Sequence, residues 1–171
     1  MTGGNPGDGL RPEELEIGFA ERKDEEQLRC LLAEYGMDIP GPIEEQLVVK
    51  AGEEVLAGAK VMQVNGCRFF LEVIGVKKDY MGKGIGQLLL GEILKDPWRC
   101  CRRALRGPET GGRFQLATLA RGGASSFYRK MGFVPCPMEE LPPDYREQCE
   151  VCPEREACQP VPMLYAGGEI R

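Results

Sequence analysis

Between Phe69 and Leu90 an apolar strand gives way, through a charged turn, to glycines at alternate positions, Gly82, Gly84 and Gly86, and then to an apolar helix. A chain with that order of elements is built to hold an anion. The N–H groups of a helix's first turn have no partner inside the helix, the helix dipole favours negative charge beside them, and glycines let a ligand approach the backbone closely. Lys83 adds a positive charge at the same place. The spacing is not that of a dinucleotide-binding loop, because Gln87 stands where the third glycine would fall, and the Gly-Lys-Ser/Thr ending of a P-loop is absent. By itself the stretch is equally a tight turn between strand and helix.

A second stretch alters that balance. From Ala124 to Phe133 the apolar residues Ala124, Phe127, Tyr128 and Met131 recur at helical spacing, and Gly132 sits where a left-handed residue would end the helix before a strand. Together with the run from Met81 to Gly86, this resembles the GNAT acetyltransferases. Their acetyl-CoA pyrophosphate loop reads Arg/Gln-x-x-Gly-x-Gly/Ala after a strand ending in Val, and their second motif is a helix closing in Tyr-x-x-x-Gly-Phe. Met81 departs from the family's Arg or Gln, so one side-chain contact to the cofactor is missing while the backbone contacts are kept. The resemblance covers roughly residues 16–134.

The resemblance implies an α/β fold, a mixed and largely antiparallel central sheet with helices on both faces, and transfer of an acetyl group from acetyl-CoA to a primary amine. It assigns Met81, Gly82, Lys83, Gly84, Ile85, Gly86 and Gln87 to the CoA loop. It assigns Ile74 and Val76, at the end of the strand, to the pantetheine arm, with the Val76 N–H as oxyanion donor. Tyr128 becomes the acid that protonates departing CoA and lies against the cofactor. The loop from Met37 to Pro42 becomes a wall of the acceptor site. Many relatives are dimers, and a homodimer is compatible with this chain.

Glu72 is the candidate base. It interrupts the apolar central strand and shares a face with Phe70, Ile74 and Val76, where desolvation would favour a base of useful strength. A paired or solvated Glu72 is the plain alternative, and Glu44, Glu45 or a bound water could serve instead. For Tyr128 the plain alternative is a half-buried aromatic with a satisfied hydroxyl.

Composition narrows the class. The 171 residues suit one domain, with residues 1–13 a disordered tail and 14–171 the folded part. A net charge of -5 argues against nucleic acid as a partner, and no apolar run is long enough for a membrane. Without a signal peptide the expected location is cytoplasmic. The sequence has no histidine, which removes every imidazole mechanism.

Eight cysteines in such a protein suggest thiols or metal ligation. Cys149, Cys152 and Cys158, with Cys136 upstream, fall in a Pro-rich insertion at about 136–160 with little core of its own. Cys-x-x-Cys on a tight knuckle suits structural zinc. Free thiols, a Cys149–Cys152 redox disulfide and an iron-sulfur cluster stay open. The insertion also resembles, faintly, short bacterial amino-acid N-acetyltransferases of the N-acetylglutamate synthase type.

The remaining elements follow from pattern. A first strand spans Leu15 to Ala20, and a helix begins at an Asp24 N-cap with Gln27 in a capping box. Hairpin strands cover Gln46 to Ala51 and Val55 to Val64. A basic connection carrying Arg99, Arg102, Arg103, Arg106 and Arg113 reads as a second helix, or as a rim for the CoA 3'-phosphate. The rival to an enzyme is a GNAT-fold module that binds acyl-CoA or recruits a protein without turnover.

Overall fold

A computed structural model describes residues 11–102 and 112–167. Seven strands form one mixed sheet in the order β1-β2-β3-β4-β5-β7-β6. They are β1 (Leu15–Phe19), β2 (Leu47–Ala51), β3 (Glu54–Asn65), β4 (Arg68–Val76), β5 (Phe114–Ala120), β6 (Val134–Pro135) and β7 (Val161–Gly167). The helices are α1 (Glu25–Ala33), α2 (Ile85–Lys95), α3 (Ser125–Lys130), α4 (Pro143–Val151) and α5 (Arg155–Cys158). Neighbours β1–β2, β2–β3, β5–β7 and β6–β7 are antiparallel, and β4–β5 is parallel. This is the mixed, mostly antiparallel α/β arrangement expected from the sequence.

The chain divides into two compact units. The first contains the described residues up to 60 and residues 73–102. Its core is the stripe Leu28, Leu31 and Leu32 of α1 packed with Ala20, Ile43, Val48, Val55 and Val73. Glycines on the sheet make room for this helix. A Cβ on Gly58 would lie 2.3 Å from Leu28 Cδ1, and one on Gly75 would lie 3.1 Å from Leu32 Cδ2.

The start of α1 differs from expectation. Gln27 does not close a capping box on Asp24. Its Oε1 accepts from the Val55 N–H at 2.9 Å and its Nε2 donates to the Glu53 carbonyl at 3.0 Å, tying the helix to the hairpin turn. Asp24 itself is buried, and its carboxylate accepts from the Glu21 N–H at 2.9 Å and from Lys50 Nζ at 3.1 Å. An amide placed one turn into the helix reaches the open N–H and C=O of the hairpin, which no local pattern reveals.

The second unit contains residues 61–72 and 112–167. Parallel pairing of β4 with β5 runs from Arg68↔Gln115 to Leu71↔Thr118, and β7 pairs β5 from Phe114↔Gly167 to Ala120↔Val161. Phe127, Tyr128, Phe133, Tyr165, Phe114 and Phe69 form a continuous chain of ring contacts with successive centroids 5.3–6.3 Å apart. α3 ends at Gly132 with φ +94°, as the spacing predicts.

The segment between β6 and β7 is not a loop without a core. It folds into α4 and α5, and Leu141, Met138 and Tyr145 join Phe70, Ala117, Met62 and Leu164 in one cluster. Apolar burial therefore does the anchoring that a metal staple was expected to do. Of the basic connection, Pro97–Cys100 is a single 3-10 turn capped by Asp96, while Arg103 and Arg106 lie outside the described residues. The N-terminal tail expectation likewise falls mostly on residues outside them.

Gly58→Ala should destabilise the protein by about 1–3 kcal/mol, because fully buried Leu28 has nowhere to retreat. Urea unfolding checks this, and an unchanged midpoint would contradict the close packing of α1 on β3.

Candidate functional site

The glycine stretch folds as its residues dictate. β4 is held at its end by the Lys77 N–H donating to the Leu56 carbonyl at 2.8 Å, and the Tyr35 hydroxyl donates to the Val76 carbonyl. A 3-10 turn, Lys78–Tyr80, follows. Gly82 and Gly84 then take φ of +77° and +81°, and nothing lies within 4 Å of where their Cβ atoms would be. An L side chain is strained in that conformation, so both turns need glycine.

Gly84 is the N-cap of α2, and the first hydrogen bond of the helix runs from the Leu88 N–H to the Gly84 carbonyl at 3.0 Å. The N–H groups of Ile85, Gly86 and Gln87 therefore have no partner within the helix, which is the geometry of an anion site. The Ile85 side chain is buried and anchors the first turn, while Met81 is 57% exposed. Lys83, Gly84 and Gln87 are exposed beside the amides.

Glu72 and Tyr128 belong to the other unit, each with a polar partner there. On β4, alternate residues Phe69, Leu71 and Val73 are buried, while Glu72 is only half-buried. Its Oε1 accepts from the hydroxyl of Tyr145 on α4, whose ring packs against Phe70 at a 43° tilt with centroids 4.4 Å apart. Burial, reinforced by the neighbouring carboxylate, drives the Tyr145 hydroxyl's pKa upward. Tyr145 thus keeps its proton and remains a donor to Glu72.

Tyr128 is 5% exposed, flanked edge-on by Phe127 and Phe133. Burial pushes its pKa up to about 12, against an opposing hydrogen bond with Thr118. The Thr118 hydroxyl in turn donates to the Leu71 carbonyl at 3.1 Å. A phenol so held is protonated at neutral pH, as a proton donor must be.

Of the alternative bases, Glu44 is exposed, and Glu45 lies 4.0 Å from Lys60 Nζ. The loop that precedes them is clamped by Gln46, whose Nε2 donates to the Pro40 and Pro42 carbonyls at 2.7 and 3.0 Å. Tyr145, Thr118, Tyr35 and Gln46 carry no motif that would mark them. Each acts on a residue it meets only in the folded chain, except Gln46, whose partners lie four and six residues away.

The cysteines do not form the expected zinc site. Among the described residues no three Cys, Asp or Glu side chains group closely enough to hold a metal ion. Cys149 lies within α4 and is buried, Cys152 is the exposed cap that follows it, and Cys136, Cys149, Cys152 and Cys158 are all free thiols. A helix replaces the tight knuckle because Pro143 at its N-terminus and the apolar contact of Tyr145 favour it.

A family model described as acetyltransferase (GNAT) domain matches residues 42–135, more than half of the chain. No curated protein sequence matches. Among solved structures, N-acetylglutamate synthase from Neisseria gonorrhoeae, complexed with coenzyme A and N-acetyl-glutamate, is similar with TM-score 0.66 at 15% identity. That match covers 89% of this chain, which spans only 35% of the synthase. Ard1 from Thermoplasma volcanium has TM-score 0.65 at 15% identity, covering 91% of this chain and 99% of that one. The ribosomal-protein-S18-alanine N-acetyltransferase from Escherichia coli has TM-score 0.60 at 15% identity, with coverage of 92% and 96%.

Spectrophotometric titration of the protein against its Tyr128→Phe variant should show no ionisation from residue 128 below about pH 11, since a phenol with pKa about 12 is more than nine-tenths protonated there. A tyrosinate signal lost in the variant near pH 10 would contradict this burial.

Proposed function

Because the chain belongs to the GNAT acetyltransferase domain family, an acyl-CoA N-acyltransferase class, we propose that it moves acetyl from acetyl-CoA to a primary amine by direct attack on the thioester. The observation that carries the reading is the open glycine turn at the head of α2, whose three unpartnered amides suit the CoA pyrophosphate. The amine nitrogen forms a bond to the carbonyl carbon while Glu72, directly or through water, takes its proton. The Val76 N–H stabilises the oxyanion, the carbon–sulfur bond breaks, and Tyr128 gives its proton to the thiolate of CoA.

Each role has local support. Tyr145 holds the Glu72 carboxylate, and the raised pKa of Tyr128 keeps the phenol in its protonated, donor form at neutral pH. Thr118, turning its hydroxyl from Leu71 toward Tyr128, supports the phenolate that remains. Holding both substrates in register supplies much of the rate. The acceptor we assign is a small amine or amino acid, in keeping with the similar synthase, and eight free thiols suit a reducing, cytoplasmic setting.

Calorimetric titration of the purified chain with acetyl-CoA, followed by a panel of free amino acids and short peptides with free N-termini, tests the proposal. Binding, transfer to a panel amine, and a kcat about 100-fold lower in Tyr128→Phe with KM for acetyl-CoA nearly unchanged are expected. Binding without transfer would make the protein an acyl-CoA-binding module, and no binding would remove the CoA site.

A further inference from the structure

The glycine loop has little to hold it in shape. Gly82 and Gly84 have open space where side chains would be, and Met81 points a thioether with no hydrogen-bond donor into solvent. A loop of that kind is ordered only at an entropic cost of about 1–2 kcal/mol per residue, which a ligand must offset unless the fold has met it already. On the helix side buried Ile85 meets it. On the strand side two carboxylates hold the turn: Glu34 Oε2 accepts from the Lys78 N–H at 3.2 Å, and Glu54 alone joins both side chains that flank it.

Glu54, the first residue of β3, accepts from the Tyr80 hydroxyl through Oε2 at 3.0 Å and faces Lys77 Nζ through Oε1 at 3.1 Å. Those two residues bracket the 3-10 turn that delivers the chain to Met81. Tyr80 is 8% exposed, and its N–H donates to the Lys77 carbonyl at 2.8 Å, so the turn closes on itself as well. Hydrogen bonding to Glu54 raises the pKa of Lys77, and burial followed by Glu54 raises that of Tyr80. Both therefore stay protonated as donors.

We propose that Glu54 is a positioning residue for the CoA pyrophosphate: it fixes Lys77 and Tyr80 so that the amides of Ile85, Gly86 and Gln87 are preorganised for the anion. It touches neither the cofactor nor the acceptor. The proposal rests on the CoA assignment made above and extends it to a residue 27 positions before the loop. A carboxylate is required because one oxygen must serve an ammonium while the other serves a phenol.

The test compares calorimetric binding of CoA with binding of S-acetylpantetheine, which lacks the pyrophosphate, measured by ligand-observed NMR. The full-length wild type, Glu54→Gln, Tyr80→Phe and the double variant are used, each with its unfolding midpoint recorded without ligand. Tyr80→Phe keeps the buried ring and removes only the hydroxyl. Each single variant should raise the Kd for CoA about 5- to 10-fold, corresponding to the net contribution of one ordinary hydrogen bond, and leave S-acetylpantetheine within about twofold. The double variant should be no worse than the weaker single one.

Wild-type affinity for CoA in both single variants would overturn the role of Glu54, as would equal loss for both ligands. A wild type that binds no CoA would overturn the CoA assignment itself, and that failure is visible before any variant is compared.

Discussion

The structure depends on amides left unused. A helix cannot satisfy the N–H groups of its first turn, and α2 begins at a left-handed glycine that removes any side chain from in front of them. Everything around that helix start follows from keeping it open and fixed. The strand before it is anchored by backbone pairing at Lys77 and by the Tyr35 hydroxyl on Val76, and the helix after it is anchored by Ile85, Leu89 and Leu90 in the core. The free amides are tolerable because they face solvent or an anion. Buried without either, each would cost about 1–3 kcal/mol.

Three polar side chains of β4 and β5 in the second unit find partners as the chain folds. Glu72 has the Tyr145 hydroxyl, Thr118 has the Leu71 carbonyl, and Arg68 pairs with Glu140. Two of these three contacts come from the segment between β6 and β7, lying over the β4 residues Arg68, Phe70 and Glu72. A segment that looks like an appendage in one dimension thus clothes the strand that bears the candidate base. Its cysteines are bystanders to that packing: Cys149 is buried as a small apolar residue, and Cys152 faces solvent.

Legibility followed the range of the interaction. The loop at Met81 to Gln87, the α3 stripe and the hairpin strands were readable because each is set by residues close together in the chain. The same local logic misled where a short pattern had a distant competitor. Gln27 looked like half of a capping box and instead serves the β2–β3 turn, and the Cys-x-x-Cys pair looked like a metal knuckle and is spanned by the end of a helix.

The sequence by itself determined the order of elements, the glycine turn, the two matching motifs and the acetyltransferase family, since these rest on backbone conformation and short spacing. Only the tertiary structure decided that Tyr145 meets Glu72, that Thr118 meets Tyr128, that Glu54 braces the turn before the loop, and that the cysteines stay apart. Those pairings join residues from 10 to 73 positions apart, and side chains that distant are brought together by core packing, which leaves no periodic trace along the chain.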